Sequence, residues 1–291
     1  MKKLSSPEFG ATDTYSTCVN SVADGALKTK LEACLPEIAD QFLGYSEKAA
    51  IAELYTIIPA ARNNPNQLVI ANVTKNELTK LYNNHMLKKE MPRAIYDSIL
   101  VAANDSCPFC GDIGQPKTLD HYLPKARYPQ FSVLPTNLVP SCRDCNTGKS
   151  ASIYQTPESQ ILHPYFEDDC FYEEKWVTAT VIHSEPVALS FHVAPPNAWD
   201  VCRKDRAETH FRDLDLAGRY SIQCVKELTC LIYQRKKSMS ALSSNEFRQH
   251  LLCVSDGSPY VNHWKAVMYH ALANDEVFCA SNFAAIFDPE V

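Results

Sequence analysis

Two pairs of cysteines with C-x-x-C spacing constrain the fold of this chain more than any other feature. The pairs are Cys107/Cys110 and Cys142/Cys145, and 31 residues separate them. Each pair can present two sulfur atoms to one ion from a tight turn, so the four thiolates predict a tetrahedral structural zinc site. Paired core thiols are the alternative, which the coincidence of two such pairs disfavours. Because the spacing exceeds that of a zinc ribbon, we expect a sizeable folded element between the pairs.

The segment between the cysteine pairs carries polar residues of the kind that catalysis uses. Asp120 and His121 are adjacent, Asn137 follows a proline-rich stretch, and Asn146 comes directly after the last cysteine. Together, carboxylate, imidazole and amide groups can hold a divalent ion and supply a general base. The alternatives for Asp120 and His121 are a surface polar pair or a hydrogen bond within a zinc ribbon. Adjacent strand residues point to opposite faces, so these two can serve one site only if the strand is distorted or ends there.

Two stretches of this segment carry a family resemblance. L-D-H-Y-L-P-K, followed by N-L-V-P-S-C-x-x-C-N-x-G-K, resembles the HNH endonucleases (the His-Me finger or ββα-metal nucleases) in the subgroup that has a four-cysteine zinc site. The resemblance covers residues 100–166 and includes I-L-H-P-Y-F at 161–166. Asn146 stands where many members have the third motif histidine, so the chain looks like the H-N-N variant of the family.

The resemblance implies a role for each polar residue of the motif. His121 would be the general base, and its neutral imidazole would take a proton from water. Asp120 and Asn146 would bind the catalytic Mg²⁺ or Mn²⁺ through oxygen atoms. Asn137 would hold the hairpin loop and orient the histidine. His163 is interpreted as a packing or hydrogen-bonding residue, and the alternative is a metal ligand that replaces the absent third histidine.

The charge of the chain is unevenly distributed. The formal net charge is −6, which opposes binding to DNA, because neutralisation of phosphates supplies most non-specific affinity. Between residues 116 and 150 there is nevertheless a local excess of +3, from Lys117, Lys125, Arg127, Arg143 and Lys149 against Asp120 and Asp144. Lys149 and Arg127 are the candidates for phosphate contact. DNA binding could rest on this patch, on Lys88, Lys89 and Arg93, or on a partner.

Composition and terminal sequence predict a cytoplasmic globular protein. Hydrophobic residues make up 45% of the chain and charged residues 21%, and no apolar run approaches the ~20 residues of a membrane helix. The N-terminus has two lysines but no apolar stretch after them, so it does not resemble a signal peptide. The eight cysteines outside the two pairs are scattered through apolar, helix-like segments. They are interpreted as buried free thiols in a reducing compartment.

The sequence predicts an α+β protein in which a ββα-metal HNH core with structural zinc lies between helical regions. The three predicted segments are a helical N-terminal region (1–103), the core (104–170), and a β-hairpin followed by helices (171–291). A capping box at Thr74–Glu77 begins one helix of the first segment. In the core, strands are expected at 118–122 and 137–139, with a helix from near Asn146.

The function that this pattern favours is hydrolysis of DNA phosphodiester bonds by a metal-dependent HNH endonuclease. The alternatives are a zinc-stabilised nucleic-acid-binding module or a scaffold, both without catalysis. The long helical flanks and the acidic charge indicate a protein partner or a homodimer. Such flanks around an HNH core are similar to those of bacterial anti-phage effectors that work beside an ATPase. The resemblance therefore implies a role in defence against phage and gating by a partner.

Overall fold

The computed structural model describes residues 1–149 and 153–283. Residues 150–152 of the predicted core and 284–291 of the predicted third segment lie outside this part. The chain forms two compact units, one of Lys2–Glu167 and the other of Met1 with the chain from Asp168 onwards. Residues 2–103 therefore share a unit with the cysteine-rich segment. The predicted division of the chain at residues 103 and 170 stays a prediction.

Helices and short sheets occur in both units, which confirms the predicted α+β class. Within the described residues there are three two-stranded antiparallel sheets. In the same part of the chain, no helix is long and apolar enough to cross a membrane.

The first unit begins with helices and a small hairpin. In chain order these are α1 (Ala11–Asn20), α2 (Gly25–Ala33), α3 (Leu35–Ala50), β1 (Leu68–Ile70), β2 (Val73–Thr74), α4 (Lys75–Lys80), a π-helical turn (Leu81–Met86) and α5 (Glu90–Val101). The predicted capping box is confirmed: the Thr74 hydroxyl accepts from the Glu77 N–H, and the Glu77 carboxylate accepts from the Thr74 N–H. These bonds satisfy amide groups that the first turn of a helix leaves without partners.

The cysteine-rich segment continues this unit with two strands and a helix. Strand β3 (Thr118–His121) pairs antiparallel with β4 (Leu138–Ser141), which places Asp120 opposite Val139 and His121 opposite Leu138. Helix α6 (Arg143–Lys149) follows β4 directly. Pro129 and Pro135 each begin a 3₁₀ turn in the connection, because the fixed φ of proline suits the first turn of a helix.

The local boundaries differ slightly from those expected. Strand β3 ends at His121 rather than at Tyr122, and Asn137 lies in the last 3₁₀ turn just before β4. Helix α6 begins at Arg143, three residues before the expected start, so its first turn contains Cys145. The second cysteine pair is therefore built on a strand end and a helix start.

The second unit contains a hairpin and six α-helices within its described residues. In chain order these are α7 (Cys170–Glu173), β5 (Val177–Ile182), β6 (Ala188–Val193), α8 (Val201–Asp213), α9 (Leu216–Lys236), α10 (Ser244–Asp256), α11 (Trp264–Ala273) and α12 (Glu276–Ala280). The predicted hairpin and the helices after it are thus present in this unit. None of the sequence-predicted site residues lies here.

Candidate active site and metal cluster

The four cysteines of the two C-x-x-C pairs form one buried cluster. Cys107 and Cys110 lie on the turn after α5, Cys142 follows β4, and Cys145 is in the first turn of α6. Their sulfur atoms all lie within 4.8 Å of one another, and the Cys110 and Cys142 sulfurs are 3.9 Å apart. A tetrahedral zinc ion with Zn–S bonds of about 2.3 Å needs sulfurs about 3.8 Å apart. The cluster can therefore hold a metal ion such as zinc.

Backbone amides of neighbouring turns support two of these sulfurs. The Gly114 N–H donates to Cys110 Sγ at 3.4 Å, and the Cys142 N–H donates to Cys107 Sγ at 3.3 Å. Gly111 has a φ of 63°, a left-handed conformation that glycine adopts without steric cost, and it lets the chain reverse after Cys110. Amide donors stabilise the thiolate form, which is the form that binds a metal.

The thiols also act on one another. Hydrogen bonds from the thiols of Cys107, Cys110 and Cys145 hold the pKa of Cys142 below its ordinary value. Cys145 donates to its neighbours instead, and these bonds raise the pKa of its own thiol. Binding of a metal ion at this cluster would release thiol protons, because the thiolate is the form that binds a metal.

Helix α6 covers the face of β3 that carries Asp120. Asn146 donates from Nδ2 to Thr118 Oγ1 at 3.1 Å, and the Lys149 ammonium lies 2.9 Å from Asp120 Oδ2. Thr118 and Asp120 are two residues apart on a strand, so they share a face, and Asn146 and Lys149 are one helical turn apart. The structure thus brings Asp120, Asn146 and Lys149 together on one face of the strand.

Asp120 is a buried carboxylate with a cation beside it. Its exposed fraction is 8%, and burial raises its pKa, while the Lys149 ammonium and the His121 N–H favour the charged form. The same ammonium donates to the main-chain oxygen of His121 at 2.5 Å. Lys149, a predicted phosphate contact, is therefore held internally by one carboxylate and one carbonyl.

His121 projects from the opposite face of β3 into a buried pocket of the loop. Its Nε2 lies 2.8 Å from the Ser132 carbonyl oxygen, and its ring packs edge-on against Tyr82 with the centroids 4.4 Å apart. A carbonyl oxygen only accepts hydrogen bonds, so Nε2 carries the hydrogen and Nδ1 carries the lone pair of the neutral ring. Burial, with the nearby charges of Lys125 and Lys149, lowers the pKa of His121 to about 3. The imidazole is consequently neutral at pH 7.

Asn137 joins the two ends of the loop that supplies Ser132. Its Oδ1 accepts from the Leu123 N–H at 2.7 Å and the Tyr45 hydroxyl at 3.0 Å. Its Nδ2 donates to the carbonyls of Leu123 and Phe131, both at 3.1 Å. Asn137 is completely buried, and Phe131 directly precedes Ser132. These contacts are those that the predicted loop-holding role requires, and the role itself stays a prediction.

His163 lies behind this loop and not on the face that carries Asp120. Its Nδ1 accepts from the Tyr165 N–H at 3.3 Å, and its Nε2 lies 3.1 Å from the Tyr45 hydroxyl, which donates onwards to Asn137. The ring also stacks at 4.0 Å on Tyr122. Both ring nitrogens are engaged, which fits the predicted packing and hydrogen-bonding role.

Arg127, the other predicted phosphate contact, is directed elsewhere. Its Nε donates to the Ala60 carbonyl at 2.8 Å, and the Ala60 N–H donates to the Arg127 carbonyl at 2.7 Å. The side chain therefore ties the loop to the segment after α3. The structure does not place it with Lys149.

Three residues around His121 and Asn137 were missed in the sequence. Tyr82, Tyr45 and Ser132 were not singled out as site residues. Tyr82 supports the imidazole ring, Tyr45 bonds to Asn137, and Ser132 contributes only its main-chain oxygen. A local sequence pattern does not indicate which backbone carbonyl or which hydroxyl of a distant helix will contact a given side chain. These three contacts could therefore not be predicted from the sequence.

Comparison with known proteins identifies a relative that matches over nearly the full length of both chains. The chain is similar to protein Ea31 of Escherichia phage lambda, with 38% identity over 296 residues that cover 96% of this chain and 99% of that protein. No protein-family model matches the chain. No solved structure matches it either.

Proposed function

We propose that this chain, which belongs to the family of protein Ea31 of Escherichia phage lambda, is a metal-dependent HNH endonuclease that hydrolyses DNA. One observation carries the proposal: a neutral histidine in a defined tautomer ends strand β3, and helix α6 lies on the strand face that carries the preceding carboxylate, with Asn146 bonded to Thr118 and Lys149 paired with Asp120. The order of β3, β4 and α6 is also the order of a ββα core. In this proposal the four-cysteine cluster holds a structural zinc that fixes both ends of the core.

His121 has the properties of a general base. The Ser132 carbonyl fixes the hydrogen on Nε2, which leaves the Nδ1 lone pair to take a proton from water. Asn137 supports this geometry indirectly, because its side chain bonds to the carbonyl of Phe131, the residue that precedes Ser132. His121 pairs with Leu138 as the last residue of β3 and projects from the face opposite to that of Asp120. In this proposal the two residues therefore act on one substrate around the end of the strand.

Asp120 and Asn146 are the proposed ligands of a catalytic divalent ion. Asp120 is buried and already pairs with a cation, the Lys149 ammonium. Asn146 donates a hydrogen bond through Nδ2, so its amide oxygen is the atom that would bind the ion. Oxygen donors of this kind suit Mg²⁺ and Mn²⁺. When bound, the ion supplies charge neutralisation at the scissile phosphate.

Incubation of the purified chain with plasmid, linear DNA and RNA tests the proposal. We expect cleavage of DNA with Mg²⁺ or Mn²⁺ and none after the ion is chelated, because a hydrolytic reaction of this kind needs the ion to neutralise the phosphate. Cleavage that is indifferent to chelation, or DNA that stays intact under all these conditions, would contradict the proposal.

Lys149 provides a prediction about metal affinity that does not depend on cleavage. Its ammonium occupies the position beside Asp120 Oδ2, so a divalent ion has to displace it. Lys149→Met keeps the aliphatic stem and removes the competing charge, and we expect Mn²⁺ to bind about tenfold more tightly. Titration of free Mn²⁺ by electron paramagnetic resonance measures this. Lys80→Met is the control, since Lys80 is exposed and the net charge changes equally; affinities that rise equally in both variants would contradict displacement.

A role in bacterial defence, with an ATPase or a second copy as partner, is also proposed. The net charge of −6 repels DNA, and the helical regions on both sides of the core exceed what a ββα unit needs. A partner that adds basic surface would offset this repulsion. Copurification of the chain with a candidate ATPase or with a differently tagged second copy, followed by a cleavage assay with and without it, tests this part.

A further inference from the structure

Lys125 is held in place by the π-helical turn beside the candidate base. Its Nζ donates to Asn83 Oδ1 at 2.9 Å and lies 4.1 Å from the centroid of the Tyr82 ring. Tyr82 and Asn83 are consecutive residues of the turn Leu81–Met86. Single π-helical turns are frequent at functional sites.

The positive charge of Lys125 has no counter-charge in the described part of the chain. The amide of Asn83 is neutral, the face of Tyr82 offers only partial negative charge, and no described carboxylate pairs with the ammonium. The side chain is half-buried, and this burial alone lowers its pKa. A partly desolvated ammonium without a carboxylate is costly, and an anion that binds there would offset that cost.

This ammonium lies close to the candidate base. Tyr82 contacts both groups, with its ring 4.4 Å from the His121 ring and 4.1 Å from Lys125 Nζ. The charge of Lys125 also acts on the imidazole directly. An anion bound at Lys125 would therefore be held beside His121.

The two cations of the segment that were predicted to contact phosphate, Lys149 and Arg127, are engaged elsewhere. Lys149 is paired with Asp120, and Arg127 is bonded to the Ala60 carbonyl. Lys125 differs from both, since its two contacts position the ammonium without neutralising it.

We propose that the Lys125 ammonium, positioned by Asn83 and Tyr82, binds a backbone phosphate of the nucleic acid beside His121. This inference rests on the proposed nuclease function and names the residue that receives the substrate's phosphate. The ligand class is a phosphodiester, which carries one negative charge and oxygen acceptors for an ammonium. Asn83 and Tyr82 act as positioning residues.

Binding of a fluorescent DNA duplex to the zinc-loaded full chain, without added Mg²⁺ or Mn²⁺, tests the inference. We expect Lys125→Met to bind about tenfold more weakly than the wild type, and Lys125→Arg to retain most of the affinity. The slope of log affinity against log salt should fall by about 0.9 in Lys125→Met, the amount expected for one lost phosphate contact. A purely structural role of Lys125 would leave that slope unchanged.

Lys80→Met is again the matched control, because Lys80 is exposed and lies one residue before the π-helical turn. It should keep the wild-type slope. Circular dichroism checks that Lys125→Met, whose stem still covers Tyr82, is folded. Equal affinities and slopes for the two methionine variants, or no duplex binding by the wild type at low salt, would overturn the inference. Because these measurements need no cleavage, an inactive chain that passes them would refute the nuclease function and not the phosphate site.

Discussion

His121→Ala is expected to lower the rate of DNA cleavage by about a hundredfold to ten-thousandfold, the range that a general base contributes. The substitution removes the Nδ1 lone pair and leaves the contacts of Asp120 with Lys149 in place. Affinity for nucleic acid should change little, since the neutral imidazole carries no charge for phosphate binding. Plasmid cleavage with Mg²⁺ or Mn²⁺ measures the rate, and duplex binding without these ions measures the affinity.

The variant needs a stability control, because the removed ring is buried. Without the imidazole ring, the Ser132 carbonyl loses its hydrogen-bond donor, which lowers the free energy of unfolding by about 1–3 kcal/mol. Thermal unfolding shows whether the variant is still folded at the assay temperature. His85→Ala is the matched control: this half-buried histidine of the π-helical turn bonds to Ser21 and contacts no proposed catalytic residue in the described structure. Wild-type cleavage by His121→Ala, with contaminating nuclease excluded, would show that the base is assigned wrongly.

The four-cysteine cluster and the order of its neighbouring strands and helix were predictable because their signals are local. A C-x-x-C pair forms within one turn, so the spacing alone indicated that Cys107, Cys110, Cys142 and Cys145 could converge. The strands were likewise indicated by short segments between prolines. Tertiary packing then set the details: Cys145 begins a helix that was expected to start later, and β3 ends one residue early.

The surroundings of the candidate base were not predictable, because they come from distant parts of the chain. Tyr45 reaches Asn137 from α3, 92 residues earlier, and Tyr82 packs on His121 from the π-helical turn. The predicted N-terminal helical region therefore supplies both contacts. Lys149 was expected to contact a phosphate, whereas its ammonium pairs with Asp120. This pairing depends on how α6 packs on β3, as does the bond between Asn146 and Thr118, and the sequence does not indicate that packing.

Cys142→Ser is expected to remove zinc from the chain and to destabilise its first unit strongly. Because an unfolded chain has no preformed zinc site, the free energy of zinc binding adds to the stability of the folded state. In small zinc domains this binding free energy is about 10–16 kcal/mol. Cys142 connects the end of β4 to the turn after α5, since its N–H bonds to Cys107 Sγ and its own sulfur lies in the cluster. A hydroxyl is a much poorer zinc ligand than a thiolate. We expect a loss of at least about 3 kcal/mol, which corresponds to a fall in Tm of about 10 °C.

Elemental analysis together with thermal unfolding tests this prediction. The wild type should contain one zinc ion per chain, retained through a brief wash that strips Mg²⁺ or Mn²⁺, and Cys142→Ser should contain none. Cys34→Ser is the matched control, because Cys34 is also buried but bonds to the Leu31 carbonyl, which a serine hydroxyl can replace. It should keep the zinc and nearly the wild-type Tm. A wild-type chain that is stable without zinc, or that carries iron in the cluster, would contradict the assignment. A structural zinc site stabilises the fold only when all four cysteines bind the zinc ion.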